Sequence, residues 1–198
     1  MRIIAGVAKG RELKSPLSDG VRPTSDRARE GLFSTLESEF GSIDGLRFLD
    51  LFAGSGAVGV EALSRGATEV HSVEYEIQTA EIARANFELV NGAGSHHVYR
   101  ESAEKFLESG PARSGESAYD IIFMDPPYDL SNAVIERLLA LIIERDLLQP
   151  RGIIAIERDT KGKVFEWPQA PRAISLLKVR SYGQGSIYYG GYSDTVSE

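Results

Sequence analysis

One twelve-residue stretch, Phe48 to Gly59 with the sequence FLDLFAGSGAVG, constrains the fold of this chain more than any other feature. Its first five residues are apolar except for Asp50, a pattern typical of a short strand buried on both faces of a parallel sheet. Glycines then interrupt the run, and apolar residues follow at helical spacing. This order predicts an α/β sheet that holds a nucleotide-like ligand, because glycines let a ligand approach the backbone and the start of a helix offers unpaired N–H groups.

The glycine turn alone does not identify its ligand. The letters GSGAVG satisfy the pattern G-x-G-x-x-G, so an NAD-dependent oxidoreductase is one interpretation. A turn that serves only close packing is another. Asp50 argues against the second interpretation, because a carboxylate near the end of a buried strand is costly unless it is paired, and a charged cofactor would pair with it.

Size and composition predict an ordinary soluble globular protein. The 198 residues suffice for one α/β domain, and we expect a single domain over residues 1–198. No apolar run approaches the roughly 20 residues of a membrane helix, and the apolar start is too short for a secretory signal. The sequence has no cysteine, and the adjacent His96 and His97 are poorly spaced as metal ligands. We therefore expect a cytoplasmic protein with no metal site and no membrane partner.

Charge is distributed unevenly along the chain. The net charge is −7, yet residues 1–29 hold seven basic against three acidic residues, which leaves −11 for the remainder. Residues 1–23 read as a hairpin extension, with short strands at 2–5 and 11–14 around a turn. Such a basic arm on an acidic body predicts local contact with a phosphate backbone, although a solvated charged surface has the same composition.

A helix is expected after this extension. Thr24 or Ser25 would cap it, Asp26 suits its first turn, and Gly41 would end it. Arginines cluster near its start, where they would hold a phosphate or a cofactor carboxylate, unless they are ordinary surface charges.

The remaining chain alternates strand and helix patterns and ends in two adjacent strands. In the helix after the glycine turn, Glu61, Ser64 and Arg65 are expected on the face opposite the apolar one. Glu74 closes the second strand, where a carboxylate would hold a ribose diol. The order predicts a doubly wound, mostly parallel, seven-stranded sheet with a final antiparallel pair. The expected strands cover 48–52, 68–73, 97–99, 119–124, 152–156, 174–180 and 186–192.

A second motif, Asp125-Pro126-Pro127-Tyr128, follows the fourth strand. Two prolines stiffen an extended backbone. The Asp125 carboxylate and the Pro126 carbonyl would accept the two hydrogens of an exocyclic amine, and Tyr128 offers a face on which a base can stack. The alternative, prolines that merely end a strand, leaves the tyrosine and the carboxylate without a role.

Together the two motifs resemble those of S-adenosylmethionine-dependent amino-methyltransferases, in which DPPY marks enzymes that methylate exocyclic amines of bases. Further agreement lies in RPTSDRAREGLFSTL (22–36) and EALSRGA (61–67). Nearly the whole chain is thereby similar to the bacterial 16S ribosomal RNA guanine-N2 methyltransferases, type D of those that modify RNA of the small subunit. The resemblance implies a Rossmann-like methyltransferase fold, S-adenosylmethionine as cofactor, and 16S rRNA or a small-subunit precursor as the partner of a monomer.

The resemblance also implies roles for individual residues. Asp125, Pro126 and Tyr128 would be catalytic. Asp50 would lie near the methionine amino group, Glu74 would bind the ribose, Tyr75 would flank the adenine, and serine at 102 departs from the usual Asp or Asn. The full cofactor set is Thr24, Asp50, Phe52, Ala53, Gly54, Ser55, Gly56, Glu74, Tyr75, Ser102 and Ala103. The RNA set is Lys9, Arg11, Arg22, Arg27 and Arg29.

Three other functions remain open on sequence alone. A DNA adenine-N6 methyltransferase also fits DPPY, but 198 residues leave no obvious additional target-recognition domain. An NAD-dependent oxidoreductase fits the glycines and leaves DPPY unexplained. A non-catalytic RNA-binding protein could keep the same fold.

Overall fold

The computed structural model describes residues 1–15, 25–109, 118–160 and 165–193. Arg22 and Thr24 lie outside the described residues, so the predictions made for them stay predictions. The helices are α1 (Asp26–Phe40), α2 (Ala57–Ser64), α3 (Ile77–Phe87), α4 (Ala103–Ser109) and α5 (Asn132–Glu144). The strands are β1 (Arg47–Asp50), β2 (Glu69–Val73), β3 (Ser95–Tyr99), β4 (Tyr119–Met124), β5 (Leu148–Asp159), β6 (Ile174–Tyr182) and β7 (Gly185–Tyr192).

The strands form a seven-stranded sheet in the order β3-β2-β1-β4-β5-β7-β6. β1 pairs with β2, β2 with β3, and β4 with β5, all in parallel. β7 runs antiparallel to both β5 and β6, as expected for the last two strands. The predicted fold class, a mostly parallel seven-stranded α/β sheet, is therefore confirmed. The chain divides into two compact units, residues 1–102 and 103–198, which are described in turn.

Helix α1 begins and ends as the sequence predicts. The Ser25 hydroxyl accepts a hydrogen bond from the Ala28 N–H at 3.1 Å, and Asp26 lies in the first turn. Gly41 adopts a φ of 80° and donates its N–H to the Glu37 carbonyl at 2.8 Å, which ends the helix. Its apolar side is buried and comprises Ala28, Leu32, Phe33 and Leu36.

The first fifteen residues form the expected hairpin, although only one isolated bridge, between Arg2 and Glu12, has strand geometry. Backbone hydrogen bonds close it, from Gly10 N–H to the Ile3 carbonyl at 2.8 Å and from Leu13 N–H to the Met1 carbonyl at 3.0 Å. The side chains of Ile3, Ala8 and Leu13 are buried. We call residues 1–15 the N-terminal segment; it packs on the rest of the first unit, and these three side chains belong to the core of that unit.

Helix α2 has no solvent face, which corrects one expectation. Glu61 and Ser64, expected on the face opposite the apolar one, are 0% and 1% exposed, and Arg65 is mostly covered. The N-terminal segment lies over this side of the helix. Glu61 accepts the N–H groups of Ile4 and Ala5 at 2.8 and 2.9 Å, so polar side chains of α2 serve as its anchors.

In the second unit, β4 is almost entirely buried and matches its predicted bounds. β5 extends beyond the predicted 152–156 at both ends, because it pairs with β4 on one side and β7 on the other. Helix α5 follows Ser131 and buries Ile135, Leu138, Leu139 and Ile142. Val134 is 37% exposed. No helix among the described residues combines the length and apolarity that a membrane span requires.

Candidate active site

The glycine turn between β1 and α2 has the backbone conformation that its sequence predicts. Gly54 and Gly56 have φ values of 53° and 78°, in the left-handed region that favours glycine. The Ala53 N–H donates to the Val73 carbonyl at 2.9 Å, which fixes the start of the turn against the end of β2. Asp50, the last residue of β1, is 1% exposed, and Phe52 is half-buried.

The three glycines of the G-x-G-x-x-G pattern have different surroundings. A Cβ placed on Gly54 would have no atom within 4 Å, so open space lies in front of this residue. A Cβ on Gly56 would lie 3.1 Å from the Ala83 side chain. One on Gly59 would lie 2.8 Å from the Ser72 hydroxyl and 2.9 Å from the Phe87 ring. The turn therefore offers a ligand access at Gly54, and Gly59 serves close packing.

Glu74 follows β2 and turns its carboxylate toward the glycine turn. One oxygen accepts the Gly54 N–H at 2.9 Å and the other accepts the Glu76 N–H at 2.8 Å. Burial raises the pKa of this carboxyl above its ordinary value of 4.5, although these backbone hydrogen bonds oppose the shift. Tyr75 beside it is 75% exposed and presents its ring to solvent. An acidic acceptor and an aromatic face next to an accessible glycine turn fit the ribose and adenine of S-adenosylmethionine.

Ser102 and Ala103 lie where the two units meet in sequence. Ser102 is half-buried and closes the first unit, and Ala103 begins α4 with 7% of its surface exposed. The contact with the adenine amino group that the resemblance implies for this pair stays a prediction.

The DPPY loop follows β4 directly. Asp125 is half-buried, Pro126 is buried, and Tyr128 is 45% exposed. The Pro127 carbonyl accepts the Leu130 N–H at 2.9 Å, so the backbone turns immediately after the prolines. The loop thus combines a carboxylate with an exposed aromatic ring within four residues, as the sequence predicts.

Arg158 supports this loop and was missed by the sequence reasoning. Its guanidinium donates to the Pro127 carbonyl at 3.2 Å and to the Leu130 carbonyl at 2.8 Å. Burial lowers the pKa of Arg158, and the neighbouring Tyr128, Asp125 and Asp159 act in the opposite direction. The only sequence signal was a basic residue near the end of an apolar strand, which by itself points to no partner.

The predicted RNA contacts divide into exposed and buried residues. Lys9, Arg11 and Arg27 are exposed, and Arg11 donates to the Leu89 carbonyl. Arg29 is 0% exposed, which corrects the expectation that it binds RNA.

The surroundings of Arg29 explain its burial. It donates to the Arg2 carbonyl at 2.6 Å and to the Asp26 carboxylate at 3.0 Å. Its Nε lies 3.7 Å from the buried Glu61 carboxylate. Arg29 therefore compensates a charge inside the first unit and presents none to a partner. Within the part of the chain that is described, no group of three or more histidine or acidic side chains could hold a metal ion.

Comparison with known proteins identifies the family. The family model described as Conserved hypothetical protein 95 matches residues 1–190. The chain belongs to this family. It is 34% identical over 184 residues to ribosomal RNA small subunit methyltransferase D of Escherichia coli K12, covering 93% of this chain and 86% of that protein. It is 33% identical to the Haemophilus influenzae protein of the same name, covering 92% of this chain and 89% of that protein.

A solved structure agrees with the observed fold. The Escherichia coli protein yhhF superposes with a TM-score of 0.79 and 28% sequence identity, covering 96% of each chain. The predictions of the family, of the fold and of the enzyme class, an S-adenosylmethionine-dependent methyltransferase, are therefore confirmed.

Proposed function

We propose that this chain transfers a methyl group from S-adenosylmethionine to the exocyclic N2 amine of a guanine in 16S rRNA. The observation that carries the proposal is the DPPY loop, in which the half-buried Asp125 stands three residues before the exposed ring of Tyr128 at the end of β4. The family relatives named above are small-subunit rRNA methyltransferases, which supports this substrate class.

The glycine turn would hold the cofactor. Ligands of α/β sheets bind outside the carboxyl ends of the strands, and both the glycine turn and the DPPY loop follow such ends. Glu74 would accept the ribose hydroxyls, Tyr75 would flank the adenine, and Asp50 would lie near the methionine amino group. The other proposed contacts are Thr24, Phe52, Ala53, Gly54, Ser55, Gly56, Ser102 and Ala103. When bound, S-adenosylmethionine supplies an activated methyl group on a good leaving group.

The DPPY loop would hold the target base. A guanine must leave its stack to reach it, at a cost of a few kcal/mol, and stacking on Tyr128 offsets part of this cost. Asp125 and the Pro126 carbonyl would accept the two N2 hydrogens, which orients the nitrogen lone pair toward the methyl group. Attack in line from roughly 3–3.5 Å then makes catalysis mainly a matter of placement. The amine gains a methyl group and afterwards releases one proton to water, so a strong base is not required.

Exposed basic residues would position the RNA backbone without reading its sequence. Lys9 and Arg11 belong to the N-terminal segment, and Arg27 lies in the first turn of α1. Arg22 would also contact the RNA backbone. We further propose that the protein works as a monomer of one methyltransferase domain in the cytoplasm, on 16S rRNA or a small-subunit precursor.

Side-by-side methylation assays test the proposal. Purified protein and methyl-labelled S-adenosylmethionine are incubated with 16S rRNA, with small ribosomal subunits and with duplex DNA, all from a strain that lacks the gene. We expect label in RNA, and digestion to nucleosides should yield N2-methylguanosine. Label on DNA adenine alone would refute the proposal.

A further inference from the structure

Asn86 on α3 is a buried polar residue that the proposed function does not use. Its side chain is 0% exposed, and its amide makes three hydrogen bonds. The nitrogen donates to the Ser55 carbonyl at 2.8 Å and to the Lys14 carbonyl at 2.9 Å. The oxygen accepts the Lys14 N–H at 2.9 Å. Both amide hydrogens are therefore used, each on a different part of the chain.

The two partners of Asn86 belong to elements with different tasks. Ser55 lies between the two left-handed glycines of the turn that would hold the cofactor. Lys14 is near the end of the N-terminal segment, which presents Lys9 and Arg11 to solvent. Since one amide group bonds both backbones, a displacement of either must break its own bond to Asn86 or move the amide and strain its bond to the other.

Other anchors of the N-terminal segment lie on α2. Ser64 accepts the Ala8 N–H at 3.0 Å and donates to the Ala5 carbonyl at 2.6 Å, and Glu61 accepts the Ala5 N–H. These bonds hold the first half of the segment on α2. Asn86 holds the other end of the segment at Lys14, and it also bonds the Ser55 carbonyl of the glycine turn.

We propose that Asn86 is a positioning residue that couples the N-terminal segment to the glycine turn, so that RNA and S-adenosylmethionine bind cooperatively. The inference rests on the proposed function. RNA bound to Lys9 and Arg11 orders the segment up to Lys14, and through Asn86 it orders the Ser55 carbonyl. The glycine turn then loses less conformational entropy when the cofactor binds, because RNA has already ordered part of it. Thermodynamic linkage requires S-adenosylmethionine to raise the affinity for RNA by the same factor as RNA raises the affinity for S-adenosylmethionine.

Calorimetry with S-adenosylhomocysteine as the probe tests this coupling in the full-length protein. For the wild type, a saturating 16S rRNA fragment should lower the Kd of the probe at least about fivefold. Asn86→Asp keeps an acceptor for the Lys14 N–H but places negative oxygen against two carbonyls, and Asn86→Leu removes all three bonds. Both should reduce the coupling to less than about twofold. Asn91→Ala, at an exposed asparagine just after α3, is the matched control and should keep the wild-type factor.

Hydrogen exchange separates coupling from a purely structural role. In the wild type, RNA should slow exchange of the amides of residues 54–56, and in a folded Asn86 variant it should not. An unchanged probe Kd in wild-type protein with and without RNA overturns the inference, whatever the variants do. Retained coupling in a folded Asn86 variant overturns it as well. If the wild type methylates RNA in either case, the proposed function stands; if it binds no S-adenosylhomocysteine, both fail.

Discussion

The carboxylate of Glu74 accepts the backbone N–H of Gly54 at 2.9 Å, which ties the end of the second strand to the turn after the first. The same carboxylate is the proposed acceptor for the ribose hydroxyls of the cofactor. Glu74 thus shapes the glycine turn and is also proposed to contact the cofactor. Substitutions of Glu74 should therefore affect both the turn and cofactor binding.

Glu74→Gln should weaken binding of S-adenosylhomocysteine. An amide offers one acceptor oxygen where the carboxylate offers two, and hydrogen bonds to charged groups are the stronger class. The expected loss is about 1–2 kcal/mol, or roughly 5- to 30-fold in Kd, measured by calorimetry at neutral pH. Glu81→Gln, on the exposed side of α3, should bind as the wild type does. Equal affinity of the Glu74 variant would remove this residue from the cofactor site.

The pH dependence of binding should reflect the same residue. Burial raises the pKa of Glu74 above 4.5, so its charged form is lost at a higher pH than that of an ordinary glutamate. We expect affinity for S-adenosylhomocysteine to fall as pH is lowered through this raised pKa, and the Glu74→Gln profile to be flat there. The free energy of unfolding should change with pH in the opposite direction to the affinity. Because Glu74 keeps its proton to a higher pH in the folded state than in the unfolded state, the free energy of unfolding should fall as pH rises from 4.5 to the raised pKa. Urea titrations of both proteins across this range would check the sign.

Asp125→Asn should reduce turnover without affecting the cofactor. The substituted amide can turn a donor toward the N2 hydrogens, so the lone pair of the target amine is no longer oriented. We expect kcat to fall about 100-fold or more, with an unchanged Kd for S-adenosylhomocysteine. Asp129→Asn changes an exposed carboxylate of the same loop and should keep full activity. Turnover by the Asp125 variant at the wild-type rate would refute the assigned mechanism.

The aromatic ring of Tyr128 should contribute to methylation of RNA, and its hydroxyl group should contribute little. Stacking of a base on an aromatic side chain is worth about 1–3 kcal/mol by alanine substitution. Tyr128→Ala should therefore raise the KM for RNA or lower kcat by a corresponding factor, whereas Tyr128→Phe should lie within about threefold of the wild type. Steady-state kinetics on 16S rRNA distinguish the two. A strong defect in the phenylalanine variant would instead assign a role to the hydroxyl group.

Arg158→Lys should lower kcat because one ammonium group cannot span both carbonyls that the planar guanidinium binds. We expect a loss of about tenfold, with little change in the Kd of S-adenosylhomocysteine. Arg180→Lys, at an exposed position on β6, is the matched control and should be neutral. An Arg158 variant with unaltered kcat would show that the DPPY loop holds its shape without this support.

Local sequence patterns predicted much of the fold. The bounds of β4, the cap at Ser25, the end of α1 at Gly41 and the final antiparallel pair all follow from apolar spacing and capping residues within a few positions. Such signals act over one turn or one strand, which is why they are visible without a structure.

The wrong expectations concern residues whose partners are distant in sequence. Glu61 was expected on the face opposite the apolar one, and nothing within its helix indicates that residues 4 and 5 cover this face. Arg29 belongs to a basic cluster by position, yet its guanidinium is buried beside Glu61, 32 residues further along. Burial of a charge depends on which distant segment supplies the opposite charge, and composition does not contain that information.

The sequence indicated the residues that we propose to contact the ligands, and it did not indicate the residues that support them. The glycine turn, DPPY and Glu74 each follow a predicted strand, and it is their combination that indicates a site. Asn86 and Arg158 are ordinary residues in a helix and a strand, and their roles depend on carbonyl groups 72, 31 and 28 positions away.

The crowded surroundings of Gly59 have a consequence for genome-wide pattern searches. Its missing side chain leaves room for the Ser72 hydroxyl and the Phe87 ring, both of which belong to the protein itself. A match to the third glycine therefore reports how tightly a helix is seated on its neighbours and says nothing about which small molecule is bound. Searches that weight all three glycines alike will group nicotinamide enzymes with methyltransferases, and weighting the acidic and aromatic residues that follow the later strands should separate them.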